Sequence, residues 1–162
     1  MSTPRQGEIW WAEAEHERRP VLVVTRSEAV PVLSGIVVAP ITRTVRRIST
    51  EMGSVLAHLH GRGIAHGDLY AHNILVDGEG HALLSDFGAA SHPRCLAPHQ
   101  QDGFRRIEAR AYGCLLDDLL GLTAMEPGLD DLATLRDKCL SDTPADRPST
   151  ADLGMIAAAK GS

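Results

Sequence analysis

Hydrophobic residues in the first fifty positions occur in short runs that are separated by turn residues. Three such runs, GEIWWAEAE, RPVLVVTR and GIVVAPITRT, are rich in β-branched and aromatic side chains and are flanked by Gly or Pro. No helical period of about 3.6 residues fits them, whereas their length and composition are typical of strands. With its best turn signal at Ser34-Gly35, this region is predicted to form a three-stranded antiparallel β unit.

The pattern changes to a helical one near residue 50. Met52, Leu56 and Leu59 fall on one helical face that ends near Gly61, and Ser49 or Thr50 is the expected cap. Strands are predicted at residues 74–76 and 82–84, joined by DGEG, and helices after Pro98, over residues 129–140 and after Pro148. The predicted fold class is therefore α+β, with a β part at residues 1–50 and a mostly helical part at residues 51–162.

Composition and charge indicate what kind of protein this is and where it is expected to be located. The chain has 162 residues and 43% hydrophobic content, which is enough for a real core. Its formal net charge of −5 is uneven, because the first fifty residues are net positive and the remainder is strongly acidic. No long apolar run and no secretory signal pattern is present, so we expect no membrane association and a cytoplasmic location. Two of the three cysteines, Cys114 and Cys139, are expected to be buried.

Three polar residues stand at spacings that suit a magnesium and phosphate site. Asp68 and Asn73 lie on a loop that enters a predicted strand, and Asp86 follows the partner strand of the same hairpin. The hairpin should bring Asn73 and Asp86 to one edge, where their oxygen atoms are suitable ligands for Mg²⁺. Asp68 is available to orient an incoming hydroxyl, and Gly88 permits a sharp turn after Asp86.

The stretch HGDLYAHN followed by SDFG resembles the catalytic loop and magnesium-binding motif of eukaryotic-like serine/threonine protein kinases. LAHLHGRGIAHGD, EARAYGCLLDDLL and ADRPS resemble the surrounding segments of the large lobe, so the resemblance covers residues 50 to about 160. It implies a truncated lobe with Asp68 as catalytic base, Asn73 and Asp86 as Mg²⁺ ligands, Gly88 beside the nucleotide, and Glu108 bracing the loop. Mg²⁺ and ATP are the implied cofactors, and a protein hydroxyl is the implied acceptor.

The chain also departs from the kinase pattern. Gly67 stands where kinases usually have an Arg, Tyr70 stands where they have a phosphate-contacting Lys, and Arg147 lacks its usual glutamate partner. No glycine-rich loop precedes Asp86, and both lysines of the chain follow it. Because nucleotide positioning supplies much of the catalysis, this loss should cost roughly several kcal/mol of transition-state stabilisation. We therefore expect weak or absent transfer, as in a pseudokinase.

The first fifty residues resemble the opening half of the MazF/PemK family of toxin endoribonucleases. GEIWWAEAE, RRPVLVVTR and VVAPITRT match the first strands of that family. The resemblance implies RNA as a partner, with Arg19 and Thr42 at the scissile phosphate and backbone contacts from three further arginines: Arg43, Arg46 and Arg47. A three-stranded remnant has open edges, so a second copy, a partner chain or the kinase-like part is expected to complete it.

The sequence leaves three functions open for this chimera. The leading one is a kinase-like fold that holds Mg²⁺ and nucleotide phosphate with little transfer. The second is a toxin derivative that cleaves or binds RNA, and the third is a non-catalytic interaction protein. We expect no zinc site, because the four neighbouring histidines lack a tight ligand spacing: His58, His60, His66 and His72.

Overall fold

The first part of the chain forms a three-stranded antiparallel sheet in the order β1-β2-β3. The computed structural model of the protein describes residues 3–5, 9–14, 17–23, 38–77, 80–123, 128–149 and 152–153. The strands are β1 (Ile9–Ala14), β2 (Glu17–Val23) and β3 (Val38–Pro40). The predicted three-stranded unit is therefore confirmed, while its predicted turn at Ser34-Gly35 lies outside the described residues.

The helix predicted from residue 50 begins much earlier and forms α1 (Ile41–Gly61). The third strand is correspondingly short, because β3 ends at Pro40 where a strand had been predicted to continue. Val45 and Ile48 are buried together with Met52 and Leu56, so the apolar stripe extends well before residue 50. The sequence pattern was misread here because the β-branched residues before position 50 were assigned to the preceding strand.

Ser49 and Thr50 do not cap this helix as had been predicted. The Ser49 hydroxyl donates to the Val45 carbonyl oxygen at 2.7 Å, and the Thr50 hydroxyl donates to the Arg46 carbonyl oxygen at 2.9 Å. Both hydroxyls thus bond within the helix interior, as Ser and Thr side chains often do in the middle of helices. The division between residues 50 and 51 stays a prediction, and it falls inside a continuous helix rather than in a linker.

The remaining elements follow the predicted order. A two-stranded antiparallel hairpin, β4 (Ile74–Val76) and β5 (Ala82–Leu84), precedes the long helix α2 (Pro98–Gly121) and the shorter α3 (Asp130–Cys139). Of the predicted last helix, the described part is limited to residues 152–153. No helix in the described part of the chain is both long enough and apolar enough to span a membrane.

The core lies where α1, α2 and α3 meet. Leu56, Leu116 and Leu132 represent the three helices in this cluster, and each is almost completely buried. The fully buried Tyr112 donates its hydroxyl to the carbonyl oxygen of Ser49 at 2.7 Å, which ties α2 to α1. The core therefore forms between α1 and the helices that follow the hairpin, and it holds the loop between them in place.

The two cysteines predicted to be buried have different environments. Cys139 at the end of α3 is fully buried, and that prediction is confirmed. Cys114 is exposed, so its predicted burial was wrong. The difference follows from helical phase, because the neighbouring residues Tyr112, Leu115 and Leu116 take the inward positions on α2 and turn position 114 outward.

An ion pair joins α1 to the start of α3. The guanidinium of Arg46 donates to both carboxylate oxygens of Asp131 at 2.9 Å and to the carbonyl oxygen of Gly128 at 2.7 Å. The hydrogen bond from Arg46 lowers the pKa of the Asp131 carboxyl below its ordinary value, despite an opposing contribution from partial burial. The Arg46 side chain is therefore engaged within the fold, and its contact with RNA stays a prediction.

Candidate magnesium and phosphate site

Asp68 and Asn73 are held together by direct hydrogen bonds. The Asn73 Nδ2 atom donates to the main-chain oxygen of Asp68 at 2.9 Å and to its Oδ2 atom at 3.0 Å. Because Nδ2 is used in this way, Oδ1 is the atom through which Asn73 can bind a metal ion. A short 3-10 turn over Ala71–Asn73 brings the amide back over the loop that carries Asp68.

Asp86 is linked to this loop through its neighbour, Ser85. The amide and the hydroxyl of Ser85 both donate to the Asn73 carbonyl oxygen, at 2.8 and 2.9 Å. This continues the pairing of β4 with β5 and brings the loop bearing Asp86 alongside the loop bearing Asn73. The predicted meeting of the two strand ends at one edge is therefore seen in the backbone.

The backbone at Asp86 adopts an uncommon conformation. Its φ is 55° and its ψ is 74°, in the left-handed region that residues other than Gly rarely adopt. Its Oδ1 accepts a hydrogen bond from the amide of Gly88 at 3.1 Å, which stabilises the turn into Phe87–Ala89.

His66 lies beneath these residues and contacts the segments on both sides. Its side chain is fully buried, with Nε2 donating to the carbonyl oxygen of Ser85 at 3.1 Å and Nδ1 accepting from the Asp68 amide at 3.3 Å. Both bonds are satisfied by the tautomer that carries its proton on Nε2. The ring also meets Phe87 edge to face, with centroids 4.7 Å apart. His66 therefore connects the Asp68 loop to the segment around Asp86.

Gly67 is required by the shape of the loop. Its φ is +82°, and a Cβ atom added there would lie 2.6 Å from the carbonyl oxygen of Ala89. A side chain would therefore be strained in this backbone conformation and would also collide with the facing main chain. The departure from Arg noted in the sequence thus has a local structural reason.

Glu108 on α2 supports the same loop from below. Its Oε1 accepts a hydrogen bond from the Gly67 amide at 2.7 Å, and its Oε2 contacts Nε2 of His60 on α1. Burial alone raises the pKa of the Glu108 carboxyl, but hydrogen bonds from His60 and from the Gly67 and His66 backbones outweigh it and lower the pKa overall. An ionised carboxylate therefore lies beneath the loop.

Sequence reasoning did not find the role of His60. That residue was weighed only as a metal ligand, yet it lies four residues after Leu56 on the buried stripe of α1. A His on an apolar helical face indicates a buried polar partner, because an unpaired polar group there is costly. This signal was present in the sequence, although it did not identify Glu108 as the partner.

An open cavity of about 260 Å³ lies beside Asp68. Its lining includes Gly67, Asp68 and Leu69 from the loop, together with Phe104 and Ile107 from the first half of α2. Phe104 and Ile107 are both exposed large hydrophobic residues. The cavity therefore offers an apolar surface directly next to a carboxylate.

The described residues contain no cluster of three or more His, Cys, Asp or Glu side chains suited to a metal ion. Mg²⁺ does not require such a cluster, because it is commonly held by one or two carboxylates together with substrate phosphates and water. Asn73 and Asp86 fit that coordination chemistry. Tyr70 and His72 stack face to face near this site, with centroids 4.8 Å apart, and both are exposed.

The implied toxin residues are placed only by their backbone. Arg19 lies in β2, and Thr42 is the second residue of α1 rather than part of a strand as had been expected. Extending the pairing of Val21 with Pro40 would put Thr42 opposite Arg19, but the chain leaves the sheet at Ile41. The side chains of Arg19 and Thr42 lie outside the described part of the structure.

Comparison with known families separates the two resemblances along the chain. Residues 5–58 match the family of PemK-like, MazF-like toxins of type II toxin-antitoxin systems, and residues 32–103 match the protein kinase domain. This chain matches two protein families. Both sequence resemblances are thereby confirmed, and the two matches overlap over residues 32–58, a stretch that includes most of α1.

Individual relatives support each match over short stretches. The protein named "Probable endoribonuclease MazF5" of Mycobacterium tuberculosis is 48% identical over 50 residues, which are 30% of this chain and 46% of that protein. CBL-interacting protein kinase 4 of Oryza sativa is 41% identical over 51 residues, which are 32% of this chain and 11% of that kinase. The chain thus spans less than half the length of either relative.

A solved structure supports the kinase fold. It belongs to a divergent kinase lacking the glycine-rich loop, described as regulating membrane ultrastructure of the Toxoplasma parasitophorous vacuole. The similarity has a TM-score of 0.59 at 19% identity and covers 72% of this chain and 42% of that one. At this level of identity the comparison supports the fold, and the predicted α+β class is confirmed.

Proposed function

We propose that residues 66–88 form a Mg²⁺ and nucleotide-phosphate site of protein-kinase type in which phosphoryl transfer is slow. The observation that carries this proposal is the bonding of Asn73 to Asp68 on one side and to Ser85, next to Asp86, on the other. This arrangement fits Asn73 Oδ1 and an Asp86 carboxylate oxygen to one Mg²⁺ ion, which would neutralise the phosphates. Asp68 would then receive the proton of the acceptor hydroxyl.

Slow transfer follows from the groups that these 162 residues contain. No lysine precedes Asp86, and Lys138 and Lys160 come far after it in the chain. The clamp on the α and β phosphates is therefore missing, and poor positioning of the nucleotide reduces the rate by orders of magnitude. A β-rich partner that supplies such a lysine would restore the rate, and ATP is the nucleotide we propose to test.

The deciding experiment is thermal unfolding with and without millimolar Mg²⁺ and ATP. A ligand at about 100 times its Kd stabilises the fold by about 2.7 kcal/mol, which is a shift of several degrees for a chain of this size. Asp86→Ala should abolish the shift, whereas Asp118→Ala, on the exposed side of α2, should retain it. An equal shift in wild type and Asp86→Ala, or no shift in wild type, contradicts the proposal.

Asp68→Ala separates binding from transfer. If Asp68 acts as the base, this variant keeps the Mg²⁺ and ATP shift but loses the slow phosphorylation that we expect of wild type with radiolabelled ATP and a mixture of Ser and Thr peptides. The cavity beside Asp68 gives such an acceptor room. Unchanged transfer in Asp68→Ala would remove Asp68 from the mechanism.

A second candidate function is RNA cleavage or RNA binding by the β unit. It is favoured by the 48% identity to MazF5 over 50 residues. Arg19→Ala should then abolish cleavage of single-stranded RNA, with Arg5→Ala as the matched control at an exposed position outside the sheet. Cleavage that survives in Arg19→Ala would count against this function.

A further inference from the structure

Two large hydrophobic side chains lie exposed on the first half of α2. Phe104 is 40% exposed and Ile107 is 63% exposed, and the two lie three residues apart on one face of the helix. Ala111 continues this face by one further turn and is half-buried. The proposed chemistry assigns no role to these side chains. Contiguous exposed apolar residues, unlike scattered ones, often mark a binding surface.

These residues form one wall of the open cavity beside Asp68. The other wall comes from the loop and includes Gly67, Asp68 and Leu69, and we call the cavity between the two walls the α2 groove. A molecule in the α2 groove therefore lies against the loop that carries the proposed base. If it brought a hydroxyl to Asp68, the neighbouring part of the same molecule would contact Phe104 or Ile107.

The charges along the α2 groove disfavour an acidic occupant. Among the described residues that line it, the charged ones are Asp68 and Glu108. Burial raises the pKa of the Glu108 carboxyl, but hydrogen bonds from His60 and the Gly67 backbone outweigh it and lower the pKa overall, so this carboxyl is ionised at neutral pH. An acidic group in the groove would therefore be repelled by like charges, whereas an apolar group would cover Phe104 and Ile107.

The size of the α2 groove fits one side chain better than a complete small molecule. Its volume is about 260 Å³, whereas pockets for drug-sized ligands measure roughly 300–1,000 Å³. From Phe104 to Ala111 the helix advances by about 10 Å, and an extended peptide covers that distance in about three residues. Such a peptide can therefore place one large apolar side chain in the groove while a neighbouring residue reaches Asp68.

We propose that the α2 groove is an acceptor subsite, which favours peptides with a large apolar residue within about two positions of the Ser or Thr hydroxyl. Phe104 and Ile107 are its specificity-determining residues. The inference rests on the proposed function where it concerns transfer of phosphate, but binding of a peptide to the groove can be measured without any nucleotide. A surface with no such role would bind peptides with and without the apolar residue equally.

The probes are matched peptides that differ at one position. In each of four series, the variable residue takes one of the two positions before or the two positions after a central Ser, in an otherwise identical background of Gly and Ala. The variable residue is Leu, Ala or Asp, so that a large apolar, a small and an acidic side chain are compared. Copies with Ala in place of the central Ser cannot react and serve for binding.

The first measurement is the Kd of the labelled peptides by fluorescence anisotropy, without Mg²⁺ and ATP. In at least one series the Leu peptide should bind about tenfold or more tightly than the Ala peptide, the discrimination expected of an apolar pocket, and the Asp peptide should bind most weakly. Ile107→Ala and Phe104→Ala should each bring the Leu and Ala peptides to similar Kd values. Leu122→Ala, at an exposed hydrophobic residue just after α2 and outside the groove, should keep the wild-type preference.

The second measurement is kcat/KM for the Ser peptides with Mg²⁺ and radiolabelled ATP. The ratio between the Leu and Ala peptides should be about tenfold or more in wild type and should fall towards one in Ile107→Ala. Undetectable transfer in wild type would refute phosphoryl transfer as the function. The preference measured by anisotropy would still decide whether the α2 groove binds apolar peptide side chains.

Three results would overturn the inference. In the first, folded wild type binds the Leu and Ala peptides equally in every series. In the second, the preference survives in both Ile107→Ala and Phe104→Ala, whose exposed positions should leave the fold intact, as circular dichroism would verify. In the third, no peptide binds at all. A dimer in wild type that becomes a monomer in Ile107→Ala would then identify a second copy of the chain as the occupant of the groove.

Discussion

Gly113 on α2 packs closely against the end of α3. A Cβ atom added at Gly113 would lie 2.7 Å from the Cβ of Cys139 and 3.0 Å from the Cδ2 of Leu140. The first of these atoms is fixed to the backbone of α3, so it can move away only if the helix moves. We therefore predict that Gly113→Ala destabilises the protein.

Gly103 on the same helix provides the matched control. A Cβ atom added there has no neighbour within 4 Å. Replacing Gly by Ala in a helix interior stabilises it by roughly 0.5–1 kcal/mol, and this gain applies at both positions. Overpacking a tight contact costs about 1–3 kcal/mol. Gly103→Ala should thus gain stability, while Gly113→Ala should lose about 1–2 kcal/mol net.

Urea unfolding followed by circular dichroism measures both values on one scale. The two variants should differ by about 2 kcal/mol, or several degrees in Tm for a chain of this length. Equal slopes with denaturant would show that the change lies in stability rather than in compactness. If Gly113→Ala proves as stable as Gly103→Ala, the close approach of α2 to α3 described above is wrong.

Further predictions concern charge and thiol chemistry. Asp131→Asn should lower the free energy of unfolding by about 1–2 kcal/mol, because it removes the paired acceptor of Arg46. Asp137→Asn, at an exposed ion pair on α3, should lower it by at most about 0.5 kcal/mol in the same urea assay. The pKa of Asp131 is lowered in the fold. Its contribution to the free energy of unfolding is therefore present above the ordinary carboxyl pKa of about 4 and is lost as the pH falls below it. The difference in stability between wild type and Asp131→Asn should accordingly shrink between about pH 5 and pH 2. Burial raises the pKa of Cys139 to about 12, so in native protein a thiol reagent should titrate rapidly only the two exposed thiols, Cys95 and Cys114, and should reach Cys139 after unfolding. Rapid labelling of Cys139 in native protein would contradict its burial.

Local pattern was enough to predict the elements whose signals were unambiguous. The hairpin at residues 74–76 and 82–84 and the helix over residues 130–139 were predicted within a residue or so of their ends. In the hairpin, turn residues flank two short apolar runs, and in the helix an apolar stripe recurs at helical spacing. The approach of Asn73 to Ser85 could be predicted from the same hairpin, because strand pairing alone brings the two residues together.

Tertiary contacts decided the points that the pattern did not. VAPITRTVRRI has the β-branched composition of a strand, yet from Ile41 it is helical because Val45 and Ile48 pack into the core beside Met52. The pairing of His60 with Glu108 joins residues from distant parts of the chain. Periodicity indicates that His60 has a buried partner, but neither local propensity nor periodicity identifies which residue it is.

The uninterrupted course of α1 has a consequence for how such a chain can change in length. Residues 32–58 are shared by the two family matches, and most of this stretch lies in one helix. Each residue of an α-helix turns the chain by about 100° and advances it by about 1.5 Å. Inserting or deleting a single residue between Val45 and Leu56 would swing the β sheet around the helix axis and pull one group of buried residues out of phase with the other. The helix that joins the two segments should therefore tolerate the insertion or deletion of whole helical turns far better than that of single residues.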